Sequence, residues 1–305
     1  MSRRLPALLV AAVLAGCADD MAAGGTCQVV HAGDVAVERR NNLIMAPATI
    51  NATPVRMVVD TGAETSAVTG EMISRLGLLG DPNNSSLMSG VGGQGLAQAD
   101  ALVNHLAFGP YDSGATHLAV VDLRFGNVGD PPLGGLIGAD VLSNYDLDLD
   151  IPRKRLALYK VRHCAGNFLP WTMPYDAVPL HVTWEDTLTL PVTVDGNRFT
   201  ALLDSGSTGT VLDSAAAERS GITAAELARE EAGEGVGAAG VNFQEVRHQF
   251  RELQVGPVTR HDVSLSVLDR TLRGSDMLLG LDFLASRHVW ISYHTHQLFI
   301  ARPAP

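Results

Sequence analysis

Aromatic residues are scarce in this chain of 305 residues, at 5%, and charged residues amount to only 18%. No helical period runs beyond about ten residues, which argues against a bundle or coiled coil. Cations are the minority charge: 22 Lys and Arg against 33 Asp and Glu leave a formal net charge of −11. A chain so acidic cannot neutralise phosphates, which excludes nucleic acid as a partner. Beyond the run Leu5 to Val13, nothing approaches the roughly 18 apolar residues of a spanning helix. The signatures His-Glu-x-x-His and Gly-x-Ser-x-Gly are missing. His294-Thr295-His296 has no carboxylate or Cys spaced to complete a metal site, so no metal or cofactor is expected. Of the three cysteines, neither Cys27 nor Cys164 is framed by the residues a catalytic thiol needs.

What the chain does have is glycine, 31 residues of it, and a stretch that occurs twice. Val58-Val59-Asp60-Thr61-Gly62-Ala63 is answered by Leu202-Leu203-Asp204-Ser205-Gly206-Ser207. In each copy an apolar run of strand character delivers one carboxylate into a tight turn. The context repeats as well. Seventeen residues separate Asp60 from Gly77, and seventeen separate Asp204 from Gly221. Between them lie short helical stretches, with Thr69 or Asp213 as N-cap and Gly at the end. Gly90-Val91-Gly92-Gly93 answers Gly235-Val236-Gly237-Ala238, Leu106 to Gly109 answers Leu253 to Gly256, and Leu136-Ile137-Gly138 answers Leu278-Leu279-Gly280. Taken at Asp60, Gly77, Gly90, Gly109 and Gly138, the offsets are 144, 144, 145, 147 and 142 residues. Five landmarks in one order make the chain a tandem duplication, mostly β.

This order of motifs resembles the retroviral-type, retropepsin-like aspartic proteases, with two units fused in one chain as in the two-lobed pepsins. The resemblance implies two closed β-barrel lobes with a short helix in each, residues 42–162 and 179–305. It also implies an aspartic endopeptidase acting on extended peptide or protein substrates, with Asp60 and Asp204 activating one water between them. Thr61, Gly62, Ala63, Ser205, Gly206 and Ser207 would support the active-site loops, with the Thr61 and Ser205 hydroxyls locking the two together. Gly138 and Gly280 would let a buried strand pass close behind each loop. The Arg that often follows is missing: Gly138-Ala139-Asp140 and Gly280-Leu281-Asp282 stand in its place. Glu64 therefore loses its expected ion-pair partner, and Asp140 and Asp282 are expected to cap the helices that follow. Ser207 could donate to Asp204, whereas Ala63 offers Asp60 nothing. Asp204 is therefore expected to ionise more readily and Asp60 to hold the proton.

Both Gly-rich runs satisfy Gly-x-Gly-x-x-Gly, yet neither follows an apolar strand, which sets aside a dinucleotide site. They are expected to be β-hairpin flaps over an extended peptide, formed by Gly90, Val91, Gly92 and Gly93 and by Gly235, Val236, Gly237 and Ala238. Neither tip carries the Tyr found in pepsins.

Ser2-Arg3-Arg4, the apolar run and Leu14-Ala15-Gly16-Cys17 read as a secretory signal over residues 1–16. The last four look like the lipobox of bacterial lipoproteins, which implies lipid on Cys17 and an exported protein held at a membrane. Ala18 after that Cys points to the outer membrane, facing the periplasm or the surface. Residues 17–41 are expected to be a flexible tether and 163–178 a linker between lobes, with Cys27 and Cys164 free to pair in an oxidising compartment. Tyr145 to Asp150 alternates like a half-exposed strand. Because both carboxylates lie in one chain, a monomer is expected to suffice. The alternatives are a non-catalytic peptide-binding lipoprotein that keeps the cleft, and lobes that pair between molecules.

Overall fold

The computed structural model describes residues 25–302 apart from Gly92, Arg124, Phe125 and Asn127. The leader and Cys17 lie outside the described residues. The protein is built mostly of strands, with short helices following the landmark glycines and caps. Each half begins with a hairpin, Leu43–Ile50 with Thr53–Val59 and Leu188–Val194 with Asn197–Leu203. The second turns at Asp195-Gly196, both at positive φ, which suits the right-handed twist of the flanking strands.

The strand Thr53–Val59 runs parallel to Leu133–Ile137, which also pairs with Ala67–Thr69. The segments entering and leaving the Asp60 loop thus clasp one buried strand. Asn197–Leu203, Met277–Leu279 and Val211–Leu212 repeat this around Asp204. In the second half Leu188–Val194 pairs with both Asn197–Leu203 and Asn242–Val255, so the sheet returns to its start. In the first half the equivalent long strand is broken at Asn104-His105. Gln98–Val103 pairs with Thr116–Val121, and Leu106–Phe108 with Leu43–Ile50.

A six-stranded antiparallel sheet joins the halves. Asp146–Asp150 and Arg155–Arg162 come from the first half, His288–Ser292 and Gln297–Ala301 from the second. At its centre Leu147 faces Ile291 and Asp150 faces His288. The two outer strands depart from the sequence reading. Gln28–Ala36, within the expected tether, pairs along Arg155–Arg162, and Tyr175–Pro179, at the end of the expected linker, pairs along Gln297–Ala301. Both segments are short of apolar periodicity because each is an edge strand. The linker's Phe168, Leu169 and Trp171 nevertheless pack on buried Tyr159, Trp290 and Phe299.

The Asp146–Asp150 strand also departs from expectation, being buried along its whole length. Its alternation separates apolar residues facing the core from carboxylates facing polar partners. Asp146 accepts from Trp290 Nε1 at 3.0 Å and from the His294 amide at 3.1 Å. Asp148 accepts from Arg155 Nη1 at 3.1 Å and Trp171 Nε1 at 3.2 Å, and lies 2.5 Å from His288 Nε2. One apolar core runs through both halves and this sheet, including Met57, Leu149, Leu203 and Ile291.

Cys27 and Cys164 are joined by a disulfide that closes a separation of 137 residues and pins the first outer strand. Chain entropy predicts that Cys27→Ser/Cys164→Ser lowers unfolding free energy by about 2–5 kcal/mol. Urea denaturation of the oxidised protein and the double variant measures this; coincident curves would refute it.

Candidate active site

Asp60 and Asp204 each sit where a buried strand ends. The Asp60 amide donates to the Ile137 carbonyl and the Asp204 amide to the Leu279 carbonyl, both at 3.0 Å, so each loop leaves its sheet at a fixed point. The turn then folds back on the carboxylate. Asp60 Oδ1 accepts from the amides of Gly62 and Ala63 at 3.0 and 3.1 Å, and Asp204 Oδ1 from those of Gly206 and Ser207 at 2.9 Å each.

The loops are crossed through their hydroxyls. Thr61 Oγ1 donates to the Leu203 carbonyl at 2.7 Å and accepts from the Ser205 amide at 3.1 Å. Ser205 Oγ donates to the Val59 carbonyl at 2.7 Å and accepts from the Thr61 amide at 3.0 Å. Thr61 and Ser205 are 1% and 0% exposed, so these four bonds are dry. They bring the two carboxyl groups into hydrogen-bond contact.

Glycine is obligatory at two positions for a steric reason. A Cβ on Gly62 would lie 2.5 Å from Asp204 Cγ, and one on Gly206 would lie 2.3 Å from Asp60 Cγ. Each glycine therefore makes room for the carboxylate of the other half.

Burial lifts both carboxyls above the ordinary carboxylate range, and the Asp60 charge adds to the lift on Asp204. Two adjoining buried carboxylates cannot both ionise cheaply, so the pair retains a proton and titrates as a unit. The expected role of the Ser207 hydroxyl is not found: Ser207 Oγ donates to the Gly209 carbonyl at 2.8 Å. With two amides on each carboxylate, the local hydrogen bonding no longer favours ionising Asp204 over Asp60.

Behind the loops, a Cβ on Gly138 would lie 2.6 Å from the Thr65 carbonyl carbon, and one on Gly280 2.2 Å from the Gly209 oxygen. The expected caps are corrected. Gly138 and Gly280 are themselves the N-caps, without a side-chain bond. Asp140 and Asp282 instead reach back to Ser66 and Thr210, two hydroxyl residues the sequence reading passed over. Their regular spacing of six residues after Asp60 and after Asp204 is the available signal. At the rim, burial and neighbouring Glu185 raise the Glu64 carboxyl, while Arg273 acts against them.

The Gly-rich runs form two hairpins, Ser89–Gly90 with Gly93–Gln94 and Ala232–Val236 with Asn242–Val255. Gly92 lies outside the described residues. The hairpins meet, the Cβ site of Gly90 lying 3.5 Å from the Ala238 amide and that of Gly95 3.2 Å from Ala239 Cβ. Each tip also crosses to the far wall. Val91 packs with Val211, Leu268 and Leu278 of the second half, and Ala238 with Val58, Ala67 and Leu136 of the first. Gly237 donates to the Val241 carbonyl to close the second tip, where Val236 stays exposed. Among the described residues neither hairpin tip carries a Tyr, but Phe243 lies across Gly235 and joins the apolar cluster beside Val211.

Two outcomes are expected from this geometry. Gly62→Ala and Gly206→Ala should each part the carboxyls and remove dyad function in a folded protein, read by titration of the two Asp carboxyls. Asp204→Asn should melt higher than the wild type at neutral pH. The folded-state carboxyl values are raised, so ionisation costs stability as pH climbs through them, and the gain should vanish in acid, where the wild-type pair is neutral. Equal melting temperatures across that range would refute this.

Comparison with known proteins agrees with the duplicated pattern. A family model described as aspartyl protease matches residues 46–141 and again 190–283. A crystal structure of a retropepsin-like aspartic protease from Rickettsia conorii is similar at 15% identity and a TM-score of 0.34, covering 44% of this chain and 96% of that one. No curated protein matches. With the family pattern met once in each half, on the segments that hold the Asp60 and Asp204 loops, the chain belongs to the aspartyl protease family.

Proposed function

We propose that the protein is an aspartic endopeptidase that hydrolyses peptide bonds in extended polypeptide segments with a water held between Asp60 and Asp204. The observation that carries this reading is the reciprocal packing of Gly62 on Asp204 and Gly206 on Asp60, which presents two half-buried carboxyls to one point. The ionised member takes a proton from the water as general base. The protonated member donates to the scissile carbonyl oxygen as charge gathers there. The resulting tetrahedral diol collapses without a covalent enzyme intermediate. The two flaps supply backbone amides above an extended strand of substrate, and their apolar tips exclude water from it.

The reading places one complete site in each chain, so specific activity should not vary with protein concentration. The Leu14 to Cys17 motif supports export and a lipid anchor on Cys17, which mass spectrometry of the mature N-terminus tests.

The deciding experiment is cleavage of a random peptide mixture by the wild type, Asp60→Asn and Asp204→Asn. Each substitution should cost about 10²–10⁴-fold or more in rate while the fold persists, because acid and base are both required. Loss in only one variant would favour lobes paired between molecules. No cleavage by folded wild type would favour a peptide-binding protein. The pH profile should be bell-shaped, failing at low pH when both carboxyls are protonated and at high pH when the shared proton leaves. Because burial raises the pair, the upper limb should lie above the ordinary carboxylate range. A single-limbed profile would count against a dyad.

A further inference from the structure

Each catalytic loop is tied down at its far end by a hydroxyl relay present in both halves. In the first, Ser66 Oγ accepts from the Gly138 amide at 3.0 Å and donates to Asp140 Oδ1 at 2.7 Å. The Ser66 amide donates to the same oxygen at 2.8 Å. In the second, Thr210 Oγ1 accepts from the Gly280 amide at 3.2 Å and donates to Asp282 Oδ1 at 2.6 Å. Ser66 and Thr210 are each 2% exposed. Both stand six residues after their catalytic Asp.

The surroundings make the hydroxyl necessary. The Gly138 and Gly280 amides turn towards the loop, where no room exists for a Cβ and no other acceptor is paired with them. A buried N–H left unpaired costs about 1–3 kcal/mol. Asp140 in turn is lifted above the ordinary carboxylate range by burial, and the Ser66 hydroxyl and amide work against that lift. Backbone bonds finish the joint: the Ala139 amide donates to the Ala63 carbonyl at 2.8 Å, and the Leu281 amide to the Ser207 carbonyl at 2.9 Å.

We propose that Ser66 with Asp140, and Thr210 with Asp282, are positioning residues for the dyad. The strand amide bond fixes where the loop begins, and the relay fixes where it ends. With both ends held, the Asp60 and Asp204 carboxyls keep the direction that lets them share a proton. This work falls to the relay because the Arg expected after Gly138 and Gly280 is absent. The inference rests on the peptidase reading of the site.

The duplication supplies its own controls, since one half uses Ser and the other Thr at the same position. The full-length protein is compared with Ser66→Ala and Thr210→Val, which remove the relay, and with Ser66→Thr and Thr210→Ser, which exchange it. The readouts are kcat and KM on a peptide the wild type cuts, melting by circular dichroism, and carbon-13 titration of the Asp60 and Asp204 carboxyls. Removal should lower kcat about a hundredfold, the scale of a 1 Å misplacement. KM should stay within about twofold, as substrate contacts are untouched. The apparent dyad titration should move in both removal variants, and both exchange variants should resemble the wild type. Unchanged kcat in the removals, a loss matched by the unfolded fraction, or exchanges as damaging as removals would overturn the proposal. Should one removal variant fail to fold, the other decides; failure of both marks the relay as purely structural and also overturns it. If the wild type cuts nothing, the peptidase reading falls by itself, and the carboxyl titrations still decide whether the relay positions the dyad.

Discussion

Four hydrogen bonds between Thr61, Ser205 and the ends of the opposite strands hold this molecule to its purpose. A carboxylate buried alone would neutralise or drag water in; two brought together share one proton and become a different chemical group. The crossed hydroxyls impose that meeting. Everything outward of them serves to make the crossing possible: a sheet in each half that pushes a loop to the interface, and a shared sheet that joins the halves.

The duplicated design carries a bias towards symmetry that the details break. Each half contributes a carboxylate, a hydroxyl, a glycine facing the partner carboxylate and a flap, at nearly constant offset. The flaps then exchange walls, Val91 resting on the second half and Ala238 on the first. Opening one flap therefore strips apolar cover from the opposite half as well. Phe243, bent over Gly235, has no aromatic counterpart in the first flap, so the two ends of the cleft differ in bulk.

The repeat, the loops that carry Asp60 and Asp204, the helix caps at Thr69 and Asp213 and the Asp195-Gly196 turn are all legible in sequence, because each is a local pattern with a local cause. Most of the differences are long-range, and the Ser207 hydroxyl is the local exception. Gln28–Ala36 and Tyr175–Pro179 look like spacer because an edge strand needs little apolar content, and their partners lie more than a hundred residues away. Asp146, Asp148 and Asp150 read as half-exposed because nothing near them in sequence announces Trp290 or His288. Asp140 and Asp282 were assigned to the nearest helix, whereas their partners sit over seventy residues upstream. Ser207 was credited with the carboxylate beside it, yet a closer carbonyl took its hydroxyl.

The shared sheet also has a consequence for how the chain is made. Its central strand from the first half, Asp146–Asp150, waits for His288–Ser292, which is synthesised about 140 residues later. At roughly 5–20 residues per second, that leaves a bare β-edge on the nascent protein for roughly 7–28 s. An unpaired edge recruits strands from neighbouring chains unless something opposes it, and charges along the edge do so. Until Trp290 and His288 arrive, that edge carries Asp146 together with Asp148 and Asp150, which pair with Arg155 and Arg153 of the same half. The charged groups that later sit buried between the halves thus line the waiting edge, the placement by which an unpaired edge resists joining a neighbouring chain.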